Sequence, residues 1–172
     1  MMRAIWGMML MSNALYVIVL GVITPIASAP PLSTVLVLAV AAAMQALASL
    51  FVPGLILRKK LHEMSFEIRE EVVAGDPSLF REPAPSRHVF ADPAELLATA
   101  YRQAMGPLVL RLGFGEAVCV TGLVVGLLGG RPICYLFIVL GVAVIAWAFP
   151  TQARIVAPFE RHFGAVFEPS SS

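Results

Sequence analysis

Charge, cysteine and histidine are scarce in this sequence. Charged residues make up only 13% of the 172 positions, the net charge is +1, and there are two cysteines and three histidines. So few cysteines exclude a disulfide framework, and the histidines are too scattered to form a metal-ligand motif. The basic residues stand in short groups, which leaves no surface to follow a phosphate backbone, and nucleic acid is therefore excluded as a partner.

Motifs of soluble enzymes are also missing. The stretch HEMSF, which starts at His62, begins like the zinc-binding helix of metalloproteases, but Phe66 stands where a second histidine is needed. There is no glycine-rich phosphate loop and no G-x-S-x-G elbow. Cys119 and Cys134 lack a C-x-x-C pattern and fall in or beside apolar runs, which is typical of packing residues. We predict a protein without enzymatic activity, metal or cofactor.

Long apolar runs are what the sequence has instead. Hydrophobic residues make up 59% of the chain and the mean hydropathy is +0.85, values typical of proteins that reside in lipid. A helix needs roughly 20 apolar residues to cross a bilayer. Four runs approach this length: residues 4–27, 34–57, 108–128 and 133–149. Because these runs lack the alternation of barrel strands, we predict an all-α integral membrane protein with four transmembrane helices.

The four runs form two pairs with a polar segment between them. Because proline lacks the N–H that a helix interior needs, Pro53 and Pro150 are expected to mark the end of the second helix of each pair. The predicted organisation is a first transmembrane hairpin (1–57), a cytoplasmic segment with two short helices and a proline-rich loop (58–107), a second hairpin (108–150) and an interfacial or flexible tail (151–172).

Basic residues lie mostly on one side of the predicted spans. Arg3 precedes the first run, seven lysines and arginines lie between the second and third runs, and Arg131 alone lies between the third and fourth. Arg111, just inside the third run, is expected to snorkel to the same side as the majority. The positive-inside rule then places both termini and the polar segment in the cytoplasm, and the compact design suggests a bacterial inner membrane.

The first run has an alternative interpretation as a cleaved signal peptide. It has a basic start, an apolar core and the small-x-small pattern Ala27-Ser28-Ala29. A retained helix is favoured because the apolar run is longer than the 7–15 residues typical of a signal core, and because Pro30 follows the candidate site directly. Cleavage would leave three spans.

Two amphipathic helices are predicted in the cytoplasmic segment. In the first, Leu61, Met64, Ile68 and Val72 recur at helical spacing and form a face for a partner or the membrane surface, or for packing on the protein's own bundle. The second starts at Asp92, with an acidic N-cap followed by proline, and is expected to end at a kink at residues 106–107. In the tail, residues 155–163 are expected to lie on the membrane interface.

Glu116 is an acidic residue within the third apolar run. It lies eight residues inside the start of that run, roughly 12 Å at helical rise. A charged side chain there costs at least about 2.5–3.5 kcal/mol on insertion scales, so such a residue usually has a function. At similar depth, the candidate partners are Ser12 and Asn13 in the first run and Ser49 in the second, with Gln45 a turn deeper.

Two roles for Glu116 remain open. Burial disfavours the charged form of a carboxyl group, so a proton- or cation-handling site is one interpretation. The other is a hydrogen bond across the bundle that fixes helix packing. Gly122, Gly126 and Gly129 favour packing, because the G-x-x-x-G pattern lets another helix of this chain or of a second copy approach closely.

The stretch EAVCVTGLVVGLL, which starts at Glu116, resembles the carboxylate-bearing helix of the c-subunit, or proteolipid, of rotary ATP synthases. In that family a Glu-Ala start is followed by a Gly-Leu-Val-Val-like run, and the resemblance covers residues 110–128. It implies that Glu116 matches the family's ion-binding carboxylate. The chain departs from the family in its longer polar segment and in the span that follows the carboxylate helix.

The sequence therefore predicts a small multi-pass protein in contact with the lipid bilayer. We expect a non-catalytic packing, assembly or accessory subunit of a membrane complex, with a homo-oligomer or a membrane-complex partner. The alternative is a proton- or cation-handling component that uses Glu116.

Overall fold

The computed structural model describes residues 2–23, 30–72 and 86–167. The elements follow in the order α1 (Met2–Val22), α2 (Leu32–His62), β1 (Ile68–Val72), β2 (Ser86–Phe90), α3 (Pro93–Leu127), α4 (Arg131–Trp147) and α5 (Gln152–Phe163). Helices account for 79% of the described residues, which confirms the all-α class. The signal-peptidase pattern, most of the proline-rich loop and the terminal serines lie outside the described residues.

Three helices, α1, α2 and α3, are long and apolar enough to span a membrane. The fourth, α4, has 17 residues and reaches such a length only when it is taken together with α5, from which a bend separates it. These helices are compatible with a multi-pass membrane protein.

The chain divides into two compact units. Residues 1–56 and 105–150 form one, called here the apolar unit, and residues 57–104 and 151–172 form the other, called the polar unit. The sequence of the apolar unit contains only four charged residues: Arg3, Arg111, Glu116 and Arg131.

The core of the apolar unit is built from all four of its helices. One buried cluster combines Leu20 of α1, Ala42 of α2, Val118 of α3 and Phe137 of α4. The outward surface is apolar too, for example at Met8, which is 74% exposed. Soluble proteins rarely expose apolar patches of more than a few hundred Å², so a surface of this kind fits contact with lipid or with other apolar helices.

The prediction that Pro53 marks the end of a helix is wrong, because α2 continues through it to His62. Proline cannot donate to the carbonyl four residues earlier, which is that of Ser49. In the structure Arg111 Nε donates to this carbonyl at 3.1 Å. A side chain from α3 therefore replaces the missing backbone donor, and the helix is maintained. Pro150 lies beyond the end of α4, as predicted.

The segment predicted as the first amphipathic helix is also different. Leu61 is buried within α2, and Met64 follows the end of that helix. Ile68 and Val72 belong to β1, which pairs antiparallel with β2. Residues four apart share a face in a helix and also in a strand, so the spacing of Ile68 and Val72 fits both. The antiparallel pairing with β2, which lies in the predicted proline-rich loop, selects the strand.

The second predicted helix begins as expected. Asp92 Oδ1 accepts hydrogen bonds from the N–H groups of Ala94 and Glu95, each at 2.9 Å, and α3 starts at Pro93. The predicted end at residues 106–107 is wrong, since α3 continues through Pro107 as one helix of 35 residues. The short helix and the third apolar run are therefore a single element.

Within the polar unit, α5 buries its apolar face. Ile155, Val156 and Phe159, which we expected to lie on the membrane interface, are buried in protein. Phe159 and Phe163 each pack edge-to-face against Phe66, with ring centroids 6.2 and 5.2 Å apart. This aromatic packing has no sequence signature, because the rings come from distant segments.

Candidate functional site

Glu116 lies on α3 at the border between its buried and exposed faces. Leu112, one turn before it, is fully buried, whereas Val120, one turn after it, is 40% exposed. The facing residues of α1 are Ser12, Asn13 and Tyr16, which lie on one side of that helix because Tyr16 is four residues after Ser12 and three after Asn13.

The carboxyl group of Glu116 accepts hydrogen bonds from three side chains of α1. Ser12 Oγ and Tyr16 Oη donate to Oε1 at 2.8 and 2.5 Å, and Asn13 Nδ2 donates to Oε2 at 3.2 Å. All three donors are neutral groups. We call this set, Glu116 with Ser12, Asn13 and Tyr16, the carboxyl cluster.

The backbone carbonyl of Met9 offers two of these donors a second acceptor. Ser12 Oγ and Asn13 Nδ2 each lie 2.7 Å from Met9 O. The Asn13 amide has two hydrogens and can donate to both acceptors, whereas the Ser12 hydroxyl has one hydrogen and can donate to only one acceptor at a time. The other amide atom, Asn13 Oδ1, is buried and has no hydrogen-bond partner among the described residues.

The structure brings together only part of the residues predicted around Glu116. Ser12 and Asn13 contact the carboxyl group, but Ser49 Oγ donates to Ala46 O in its own helix. Gln45 Oε1 is buried without a partner among the described residues.

Tyr16 was missed by the sequence reasoning. It stands one helical turn after Ser12, so helical spacing could have identified it.

The three glycines predicted for helix packing have different roles. A Cβ at Gly122 would lie 2.8 Å from Cys134 O, so this glycine allows α4 of the same chain to approach closely. A Cβ at Gly126 would clash with the Leu20 side chain of α1 and lie 3.2 Å from Cys134 Sγ of α4, so this glycine makes room for both helices. Gly129 instead ends α3 with φ +96°, in a Schellman turn in which the Gly130 N–H donates to Val125 O at 3.0 Å.

Two further glycines of this helix pair were not predicted. Gly115 on α3 and Gly141 on α4 are both buried, and a Cβ on Gly141 would lie 2.6 Å from the carbonyl oxygen of Gly115. Because the two glycines are far apart in the chain, the sequence did not indicate that they meet. Within the described segments, no group of three or more acidic, histidine or cysteine side chains could hold a metal ion.

Comparisons of the chain with protein families, with curated proteins and with solved structures gave no match. The resemblance of residues 110–128 to the proteolipid helix therefore stays a prediction.

We expect Tyr16→Phe to destabilise the protein by about 0.5–1.5 kcal/mol, because it removes one donor from the carboxyl group without changing the ring. The measurement is reversible unfolding in mixed micelles of mild detergent and dodecyl sulfate, followed by circular dichroism. Tyr135→Phe is the matched control, since this tyrosine is 42% exposed on α4. Equal stability of the two variants would contradict a structural role for the Tyr16 hydroxyl.

Proposed function

We propose that this chain is a four-span protein of a bacterial inner membrane and acts as a non-catalytic packing, assembly or accessory subunit of a membrane complex. Both termini and the polar segment would lie in the cytoplasm. The apolar outer surface and the shortage of charge in the apolar unit support membrane insertion.

The observation that carries the packing role is the carboxyl cluster. Interhelical hydrogen bonds in membranes average about 0.6 kcal/mol, so three of them contribute about 2 kcal/mol. Placing a charged carboxylate at mid-helix costs about 2.5–3.5 kcal/mol. The bonds thus roughly offset the cost of insertion and add little net stability. What they provide is a defined register between α1 and α3.

The carboxyl cluster also supports a first helix that is retained and not cleaved as a signal peptide. α1 supplies all three donors to Glu116, and Trp6 Nε1 donates to Ile145 O of α4 at 2.7 Å. Cleavage after residue 29 would remove every one of these groups and leave the carboxyl group without them.

A proton- or cation-handling role is the second candidate, and one observation favours it. The Ser12 hydroxyl lies within reach of both Met9 O and Glu116 Oε1. If Glu116 takes up a proton, the hydroxyl hydrogen can turn to Met9 O, and the freed lone pair of Ser12 can accept from the new carboxyl O–H. The site can therefore accommodate either protonation state without moving a helix.

Glu116→Gln separates the two roles. The amide oxygen of the variant can still accept hydrogen bonds from Ser12 and Tyr16. An assembly role therefore predicts that the same partners co-purify with the variant and with the wild type from native membranes. For proton handling, we expect a protonated-carboxyl infrared band that changes between pH 5 and 9 in the reconstituted wild type and is absent from the variant.

The infrared band tests proton handling, and co-purification tests the assembly role. A pH-dependent band that requires Glu116 supports proton handling. An unchanged or absent band, together with retained partners, supports the packing role. If the wild type brings down no partner at all, the assembly proposal is wrong.

A further inference from the structure

Two arginines and both tryptophans of the chain lie at the end of the apolar unit where α4 terminates. The Arg3 guanidinium lies 5.9 Å from the centre of the Phe149 ring, and the Arg111 guanidinium 5.4 Å from the centre of the Trp147 ring. The Trp6 ring packs edge-to-face on Phe149, with the centroids 4.9 Å apart. We call this set the arginine–aromatic end.

A single apolar layer connects these residues. Leu112, next to Arg111, and Ala148, next to Trp147, belong to one buried cluster. Trp6, one turn after Arg3, packs against the same cluster. Both arginines therefore flank the same level of the helix bundle.

Arg111 is held in a defined orientation. Its Nε donates to the Ser49 carbonyl that Pro53 leaves without a helical donor, and its planar group is directed towards the Trp147 ring. A guanidinium fixed in this way has a planar fork of donors, the geometry that suits bidentate contact with a phosphate.

The apolar unit carries a net positive charge. Its four charged residues are three arginines and Glu116, whose carboxyl group is hydrogen-bonded by α1. Two of the three arginines lie at the arginine–aromatic end, Arg3 against the Phe149 ring and Arg111 against the Trp147 ring. Basic residues with aromatic side chains are typical of the interface where helices meet lipid headgroups.

We propose that the arginine–aromatic end binds the phosphate headgroup of an anionic phospholipid, with Arg3 and Arg111 as its ligands and Trp147, which is 53% exposed, beside the glycerol region. This proposal rests on the membrane insertion proposed above. The Arg111 contact with Ser49 makes it a site with a fixed geometry rather than a diffuse positive surface.

Tryptophan fluorescence tests the proposal on the full chain. With Trp6→Phe, Trp147 is the only tryptophan left. The protein is reconstituted into phosphatidylcholine vesicles that contain a minor fraction of brominated phosphatidylglycerol or, in parallel, of brominated phosphatidylcholine. A contribution of about 1 kcal/mol for each basic residue near an anionic surface corresponds to about a fivefold preference for each arginine. We expect the brominated anionic lipid to quench Trp147 more strongly.

Three variants decide the assignment, each compared by its ratio of quenching between the two lipids. Arg3→Gln and Arg111→Gln should each lower the ratio, and Arg3 is exposed, so its variant does not depend on core packing. Arg131 is at the start of α4, about 24 Å from Trp147 by helical rise, so Arg131→Gln should leave the ratio unchanged.

The contrary outcomes are distinct. Equal quenching by both lipids would overturn the headgroup site and leave membrane insertion intact, whereas no quenching by either would overturn insertion itself. If the preference is lost when inorganic phosphate replaces chloride at constant ionic strength, free phosphate competes for the site, and the assignment of the site to a lipid rather than to phosphate would be wrong.

Discussion

Gly141→Ala is expected to destabilise the apolar unit by about 1–3 kcal/mol, the range for forcing an extra methyl group into a packed core. The new Cβ would lie 2.6 Å from the Gly115 carbonyl oxygen and 3.0 Å from the Cys119 N–H nitrogen. Both atoms belong to the backbone of α3 and cannot rotate away. The two helices would have to separate, and the contacts along their whole interface would weaken.

Gly113→Ala is the matched control for this prediction. Gly113 is on the facing helix, but a Cβ there would meet nothing within 4 Å. Replacing a helical glycine with alanine at an open position gains roughly 0.5–1 kcal/mol from reduced chain entropy. The two variants should therefore change stability in opposite directions when unfolding by dodecyl sulfate in mixed micelles is followed by circular dichroism. A stabilising effect of Gly141→Ala would refute the close contact between α3 and α4.

Arg111→Met should cost about 1–3 kcal/mol, because it leaves the Ser49 carbonyl in an apolar environment without its donor. Methionine keeps most of the volume of the side chain, so the loss of packing is small. Ser49 is fully buried, which leaves water little access to the carbonyl. The contribution of Arg111 thus comes from a defect that Pro53 introduces into α2.

The double variant Pro53→Ala, Arg111→Met tests that explanation. Alanine supplies the N–H that proline lacks, so the Ser49 carbonyl regains a helical partner. We expect Arg111→Met to cost less than half as much in the Pro53→Ala background as in the wild type, in a double-mutant cycle measured by the same unfolding assay. Equal costs in both backgrounds would show that Arg111 acts through something other than this carbonyl.

The sequence alone determined the helical class and the N-terminal boundary of α3. The apolar runs are long and uninterrupted, and the Asp92-Pro93 start is a local signal that needs no distant partner. It also identified Glu116 as the exceptional residue and two of the three side chains that contact it. The depth of a residue within a predicted span can be counted from the sequence, so residues at similar depth could be proposed as partners of Glu116.

Only the tertiary structure decided which of those candidates meet. Helical spacing does not specify how a helix is rotated about its axis, so Ser49 and Gln45 were as plausible as Ser12 and Asn13 until α1 was seen against α3. The continuation of α2 through Pro53 likewise depends on a donor 58 residues further along the chain. The spacing of Ile68 and Val72 fits a helix or a strand, and only the pairing with β2 selects the strand. Local composition sets which elements can form, whereas contacts between distant segments set which of them do.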